Sequence, residues 1–357
     1  MFGYNTAPQM FVRLDKLFYE PGQQINGLVT LSLPTVTQQP LYLKVRLSGD
    51  EYVRFSKEVT RTVRTLDSRD PNKTISEPME FSQDKNFLSL EVPISEIPPY
   101  SPPGELNIPF SLILGSSLPS SFTKAWSTEI SGRRHQNDAH IRYSLAIGLK
   151  DYAGNQVGPE VFRPINIQNS KQQQESDYQG QAVVKTDKTH HISACCKDLG
   201  KIRLVAYFEK DRLYKDEDIM IVVELDGSQC ETEISNVYAE FKEQFKCEAD
   251  IHTETSNIVC KSEIAKLNLP PNSKMTGSNS IRLRVDLQSG KNKIDSTVKG
   301  KLISCSHTVT VYVTLKDCCA TTPTSTVPVQ VYERPVSQQL YDPYLGPNGQ
   351  PSFTQRL

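Results

Sequence analysis

The stretch Lys16-Leu17-Phe18-Tyr19-Glu20-Pro21-Gly22-Gln23-Gln24-Ile25-Asn26-Gly27-Leu28-Val29-Thr30-Leu31 decides how the rest of the chain is read, because a degenerate copy occurs in the second half. That copy is Asp211-Arg212-Leu213-Tyr214-Lys215-Asp216-Glu217-Asp218-Ile219-Met220-Ile221-Val222-Val223-Glu224-Leu225. Each unit is an apolar segment ending in tyrosine, a short polar turn, and a strand alternating apolar and polar residues, which reads as a β-hairpin. In the first copy Pro21 fixes φ and Gly22 is free to take φ > 0. Lys215 and Asp216 stand there in the second copy, so its turn is expected to be of another type. Two copies imply two related domains in tandem, each opened by the same device.

Size agrees with that count, since 357 residues exceed what one hydrophobic core usually supports. Hydrophobic residues make up 37% and charged residues 23%, with a net charge of -1, so no global field argues for nucleic acid or anionic lipid as a partner. The segment Met1 to Pro8 has neither a basic region nor an apolar core of a leader, and nowhere do ~20 apolar residues run together. The expectation is a cytoplasmic protein, peripheral at most on the plasma or endosomal membrane. All 8 cysteines follow residue 194, unlike a secreted disulfide scaffold and consistent with reduced thiols.

Period two dominates the chain. Leu41, Leu43, Val45 and Leu47 alternate with polar residues, as do Ile141, Tyr143, Leu145, Ile147 and Leu149. The second half repeats the habit in Ile202/Leu204/Ala206/Phe208, Val237/Ala239/Phe241, Ile281/Leu283/Val285/Leu287 and Val309/Val311/Val313/Leu315. No amphipathic helix of ordinary length is evident. The expected fold class is all-β: two tandem immunoglobulin-like β-sandwich domains with little or no helix. The expected organisation is a flexible N-terminus 1–9, a sandwich 10–167, a polar linker and entry segment 168–197, a second sandwich 198–333, and a disordered tail 334–357.

Several stretches resemble the arrestin family in its α-arrestin (arrestin-domain-containing) branch. In the first half they are Tyr19 to Gly27, the strand Leu41 to Gly49, and Pro103-Gly104-Glu105-Leu106-Asn107-Ile108-Pro109-Phe110-Ser111-Leu112 with Leu118-Pro119-Ser120-Ser121-Phe122. In the second half Cys195-Cys196-Lys197-Asp198-Leu199-Gly200-Lys201-Ile202-Arg203-Leu204, Cys305 to Tyr312, and Val327-Pro328-Val329-Gln330-Val331 are similar to the family's C-terminal domain, more loosely. The resemblance covers roughly residues 10 to 333. It implies arrestin-type sandwiches and a non-enzymatic adaptor that binds cytosolic parts of membrane proteins and directs their endocytosis, sorting or ubiquitin-linked trafficking. A retromer-type sorting subunit shares that architecture, and an extracellular adhesion module is the rival of another class.

The chemistry-bearing residues read mostly as structural. Ile108, Phe110 and Leu112 share one strand face, and Pro109 is tolerable only at an edge or strand start. Leu118 to Phe122 is expected to turn the chain, with Phe122 as anchor; Trp126 reads as a partly buried core aromatic. The six histidines, 135, 140, 190, 191, 252 and 307, fall in no zinc-hydrolase pattern, and no nucleophile elbow or phosphate-cradling loop is present. No catalytic residue, cofactor or metal ligand is assigned. The sharpest constellation is His190-His191 with Cys195-Cys196 and the distant Cys318-Cys319, but adjacent cysteines are poor tetrahedral chelators and read as reduced thiols, with S-palmitoylation as the alternative. Cys247 and Cys260 flank a polar turn and are expected across one hairpin.

Basic clusters at Arg54, Lys57, Arg61, Arg64 and Arg69, at Arg133-Arg134-His135, and at Lys291, Lys293, Lys299 and Lys301 suit phosphorylated tails or lipid heads in principle, and read first as solvated faces. Many α-arrestins recruit ubiquitin ligases through Pro-Pro-x-Tyr; here Pro98-Pro99-Tyr100 lacks the intervening residue and Tyr341-Asp342-Pro343-Tyr344 has one proline. The expected partners are therefore membrane-protein cargo tails and coat components, with direct ligase recruitment in question and nucleic acid excluded.

Overall fold

The computed structural model describes residues 7–64, 72–169, 184–194, 197–288, 293–317 and 319–334. The chain divides between Asn169 and Ser170 into two compact units, the second running through Arg334. Both are all-β; the one helical turn among the described residues is the 3₁₀ segment Gly277–Asn279. Residues 1–6 of the expected flexible N-terminus, 335–357 of the expected tail, and 170–183, 195 and 196 of the expected linker lie outside the described residues, while Val184–Ala194 of that linker is a strand of the second unit.

The first unit contains β1 (Gln9–Leu14), β2 (Phe18–Tyr19), β3 (Gln24–Leu33), β4 (Leu41–Arg64), β5 (Asn72–Ile97), β6 (Gly104–Ile113), β7 (Phe122–Ile130), β8 (Arg133–Lys150) and β9 (Val161–Ile167). A three-stranded sheet runs β1-β3-β6, and a larger one runs β2-β9-β8-β4-β5 with β7 also on β8. The alternation expected of Leu43, Val45 and Leu47, and of Ile141 through Leu149, is realised: these side chains are buried and form the core. Pro109 lies on β6, which among the described residues pairs with β3 alone, so its missing N–H falls on an edge strand. Phe110 is buried over Gly27, where a Cβ would come within 2.4 Å of the ring, so glycine is what lets the phenylalanine lie down. The Leu118–Phe122 turn is held by Tyr143 Oη donating to the Pro119 carbonyl at 2.6 Å and by Ser121 N donating to the Ile167 carbonyl at 2.7 Å, with Phe122 buried.

The second unit contains β10 (Val184–Ala194), β11 (Lys197–Phe208), β12 (Arg212–Tyr214), β13 (Ile219–Cys230), β14 (Ile234–Ala249), β15 (His252–Lys261), β16 (Ala265–Leu269), β17 (Lys274–Met275), β18 (Ile281–Val285), β19 (Val298–Lys299), β20 (Ile303–Leu315) and β21 (Thr324–Tyr332). One sheet runs β10-β11-β13-β17 with β18 also on β13. The other runs β12-β21-β20-β14-β15, with β16 on β14 and β19 on β20. A single apolar cluster joins residues of both sheets, among them Leu204, Phe208, Ile221 and Leu283 with Phe241, Val311 and Val329, which is what a sandwich requires.

The tyrosine-ended repeat is not a hairpin. In the first copy β2 pairs in parallel with β9, whereas β3 pairs with β1 and β6 in the other sheet. In the second copy β12 pairs in parallel with β21, and β13 belongs to the opposite sheet. Each repeat therefore carries the chain from one sheet to the other. The physical reason is long-range pairing: the two or three residues before each turn bond in parallel to the last strand of their own unit, β9 or β21, and there Tyr19 and Leu213 are fully enclosed. The turns differ as expected. Gly22 has φ +83° in a turn closed by Gln23 N donating to the Glu20 carbonyl at 3.0 Å, while Tyr214–Glu217 closes by Glu217 N to the Tyr214 carbonyl at 3.0 Å with no positive φ.

Candidate functional sites

Sheet edges are the first feature of the surface. Among the described residues β15 pairs with β14 alone, over Glu240↔Lys261 to Ala249↔His252, so one side of this ten-residue strand has no strand partner. It carries no proline, and Val259 is exposed on it, with Ile251 and Ile264 exposed at its two ends. In the first unit, among the described residues, β1 pairs only with β3 and presents Phe11 outward, while β6 presents Ile113. Such strands offer main-chain donors and acceptors to an incoming extended segment.

The second feature lies inside the second unit. Glu243 on β14 stands directly opposite His307 on β20, and Cys305 lies two residues before His307 on the same inward face. The three are 1%, 2% and 0% exposed for Glu243, His307 and Cys305 respectively. His307 Nε2 is 3.5 Å from Glu243 Oε2 and 3.8 Å from Cys305 Sγ. Supporting bonds fix the set: Thr297 Oγ1 lies 2.9 Å from His307 Nδ1, Asp295 N donates to Glu243 Oε2 at 2.8 Å, and Phe241 stacks on the imidazole at 5.4 Å between centroids. Val331 N in turn donates to Thr297 Oγ1 at 2.8 Å. It is the one grouping of three metal-ligating side chains found among the described residues. Sequence reading passed over it, although a carboxylate at the inward phase of Phe241, Phe245 and Cys247 was a visible signal.

Of the residues singled out by sequence, His190 and His191 sit on β10 opposite Ile202 and Lys201. Ala194 bridges Ala320, and Cys319 is exposed; Cys195, Cys196 and Cys318 lie outside the described residues. Cys247 and Cys260 are on the two strands of one hairpin, but Cys247 faces Glu254 and Cys260 faces Phe241, so they are not opposite each other. Burial pushes the thiols of Cys230, Cys247 and Cys260 up, that of Cys247 to about 12, which leaves them protonated and unreactive. Trp126 is half-buried on β7. Arg54 pairs with Asp138 at 2.8 Å and Arg61 with Glu77 at 2.8 Å, so these two of the first basic cluster are engaged within the sheet; Arg69 and Lys291 fall outside the described residues.

No helix among the described residues is long and apolar enough to cross a membrane. Residues 199–336 match the family model of the arrestin (or S-antigen) C-terminal domain. That match supports the arrestin family, and the all-β sandwich build agrees with it. It falls in the half where the quoted motifs were the looser ones. No curated protein matches the chain.

Proposed function

We propose that the chain is a non-enzymatic adaptor of the α-arrestin branch, made of two arrestin-type domains and working in the cytoplasm, peripheral to plasma or endosomal membranes. It takes up cytosolic tails of membrane proteins and directs them to endocytosis or sorting. The observation that carries this reading is an arrestin C-terminal match laid over a sandwich whose strand β15 is unpaired by any other strand on one side among the described residues. An extended tail would add to such an edge, with main-chain hydrogen bonds supplying affinity and outward side chains such as Val259 supplying selectivity. Coat components are the second partner class; the absence of Pro-Pro-x-Tyr leaves ligase recruitment to some other contact.

Proximity labelling in the native cell tests the reading. Enrichment of transporters and sorting coats is expected, and Val259→Lys, which sets a charge on the edge strand, should deplete the cargo while sparing the fold. Labelling confined to secreted or cell-surface matrix proteins would overturn it.

A further inference from the structure

We propose that Glu243, Cys305 and His307 bind one zinc ion inside the second unit. A tetrahedral zinc centre with Zn–S about 2.3 Å and Zn–N or Zn–O about 2.0–2.1 Å places its nitrogen and oxygen ligand atoms roughly 3.3–3.5 Å apart and its nitrogen and sulfur roughly 3.6 Å apart. The observed separations are 3.5 Å and 3.8 Å, so two edges of one face of the coordination polyhedron, both meeting at His307 Nε2, are close to those a zinc ion sets. All lie within 4.8 Å of one another.

Charge points the same way. A carboxylate and a thiol enclosed at 1% and 0% exposure occupy inward positions on the same face as Phe241, Phe245 and Val309, where a charge is stable only beside opposite charge. Carboxylate, thiolate and neutral imidazole together carry two negative charges and balance a divalent ion. On binding, the Cys305 thiol gives up its proton to solvent as the S–Zn bond forms, and no redox change occurs.

The surrounding bonds are those a metal ligand needs. Thr297 Oγ1 can accept the Nδ1 proton of His307, which leaves the Nε2 lone pair to the ion, and Asp295 N–H orients the carboxylate. A water completes the fourth position, as is usual with three protein ligands.

The full chain, unfolded with chelator and refolded with zinc or cobalt, provides the test. One metal per chain is expected after gel filtration. The cobalt form should show the intense visible bands of a tetrahedral site and a thiolate charge-transfer band. Cys305→Ser should lose that charge-transfer band and Cys247→Ser, at another buried thiol of the same sheet, should keep it. Thr297→Val should weaken zinc about 10–100-fold. If Cys305→Ser does not refold, X-ray absorption of the wild-type zinc form decides, with one sulfur and the rest nitrogen or oxygen expected. Wild type that refolds without retaining either metal, a cobalt band that survives Cys305→Ser, or a zinc shell lacking sulfur would overturn the assignment.

Discussion

The two sheet-to-sheet crossovers follow the same path and are held by different forces. In the first, Tyr19 is fully buried and its Oη donates to Asp15 Oδ1 at 2.7 Å; Asp15 also accepts from Asn26 N and Nδ2, tying the strand before the turn to the strand after it. Gly22 N bonds the Gly115 carbonyl and Leu114 N the Gln23 carbonyl, so the turn is knitted to the end of β6. In the second, the enclosed residue is Leu213, and Tyr214 lies partly open under the Arg334 guanidinium, 4.8 Å from its centroid. Arg334 grips Asp216 with two nitrogens at 2.9 Å, and Lys215 pairs with Glu333. The crossover thus depends on burying one side chain just before the turn. What reinforces the turn beyond its main-chain bond differs: a partly buried hydroxyl and a glycine in one unit, surface ion pairs in the other.

The largest effect should come from removing the buried member. Tyr19→Ala is expected to cost about 3–5 kcal/mol, as truncation of an enclosed aromatic does, whereas Tyr214→Ala should cost far less. Guanidinium unfolding of the full chain, followed by a probe in each unit, measures both. Equal losses would mean that the two tyrosines play one role after all.

The turns come next. Gly22 holds φ +83°, and a Cβ there would meet Ser116 at 3.7 Å, an ordinary contact, so strain alone is at issue. Gly22→Ala should cost about 1–2 kcal/mol from the left-handed backbone. Asp216 has no such backbone constraint, and Asp216→Ala should lack that cost. The same unfolding curves separate them, and a neutral Gly22→Ala would show that the first turn can change type.

How much of this was legible follows from range. Alternation revealed the strands Leu41–Leu47, Ile141–Leu149 and Val309–Val313, because side-chain period is a local property and a sandwich buries one face of each. The repeat was visible, but its reading as a hairpin failed: a turn fixes the direction of the chain, and only pairing with β9 and β21, far away in sequence, decides which sheet a two- or three-residue strand joins. The buried triad was half legible. Glu243 betrays itself by falling in phase with Phe241 and Phe245; that its partner is His307 depends on β14 and β20 being neighbours, which no spacing encodes.

A subtler contrast concerns acid. Hydrogen bonds from Tyr19 and Asn26 outweigh burial, which alone would raise it, and hold the Asp15 carboxyl below its ordinary 3.8. A carboxylate held low in the folded state contributes stability that is fully present above its unfolded value and is lost as pH falls through the folded one. Tyr19→Phe removes one of those bonds and should cost about 1–2 kcal/mol at neutral pH. The gap between wild type and Tyr19→Phe should then narrow below pH 3.8, as Asp15 becomes protonated in both. A gap that is constant down to strong acid would mean that the phenol stabilises through packing and not through Asp15.

The smallest effect belongs to the ion pairs of the second crossover. The bond from Arg334 holds the Asp216 carboxyl low, but both groups face solvent, where pairing gains little against side-chain entropy and is screened by salt. Asp216→Asn should leave the unfolding midpoint of the second unit almost where it was. What small loss there is should vanish as ionic strength rises, because the Debye length falls to about 3 Å at 1 M salt. The Tyr19→Phe loss, made inside a partly enclosed hydrogen-bond set, should persist in the same salt. Salt dependence therefore separates the two closures even where their magnitudes overlap; a salt-insensitive loss in Asp216→Asn would mean that the Asp216 side chain stabilises the turn by something other than its ion pair with Arg334.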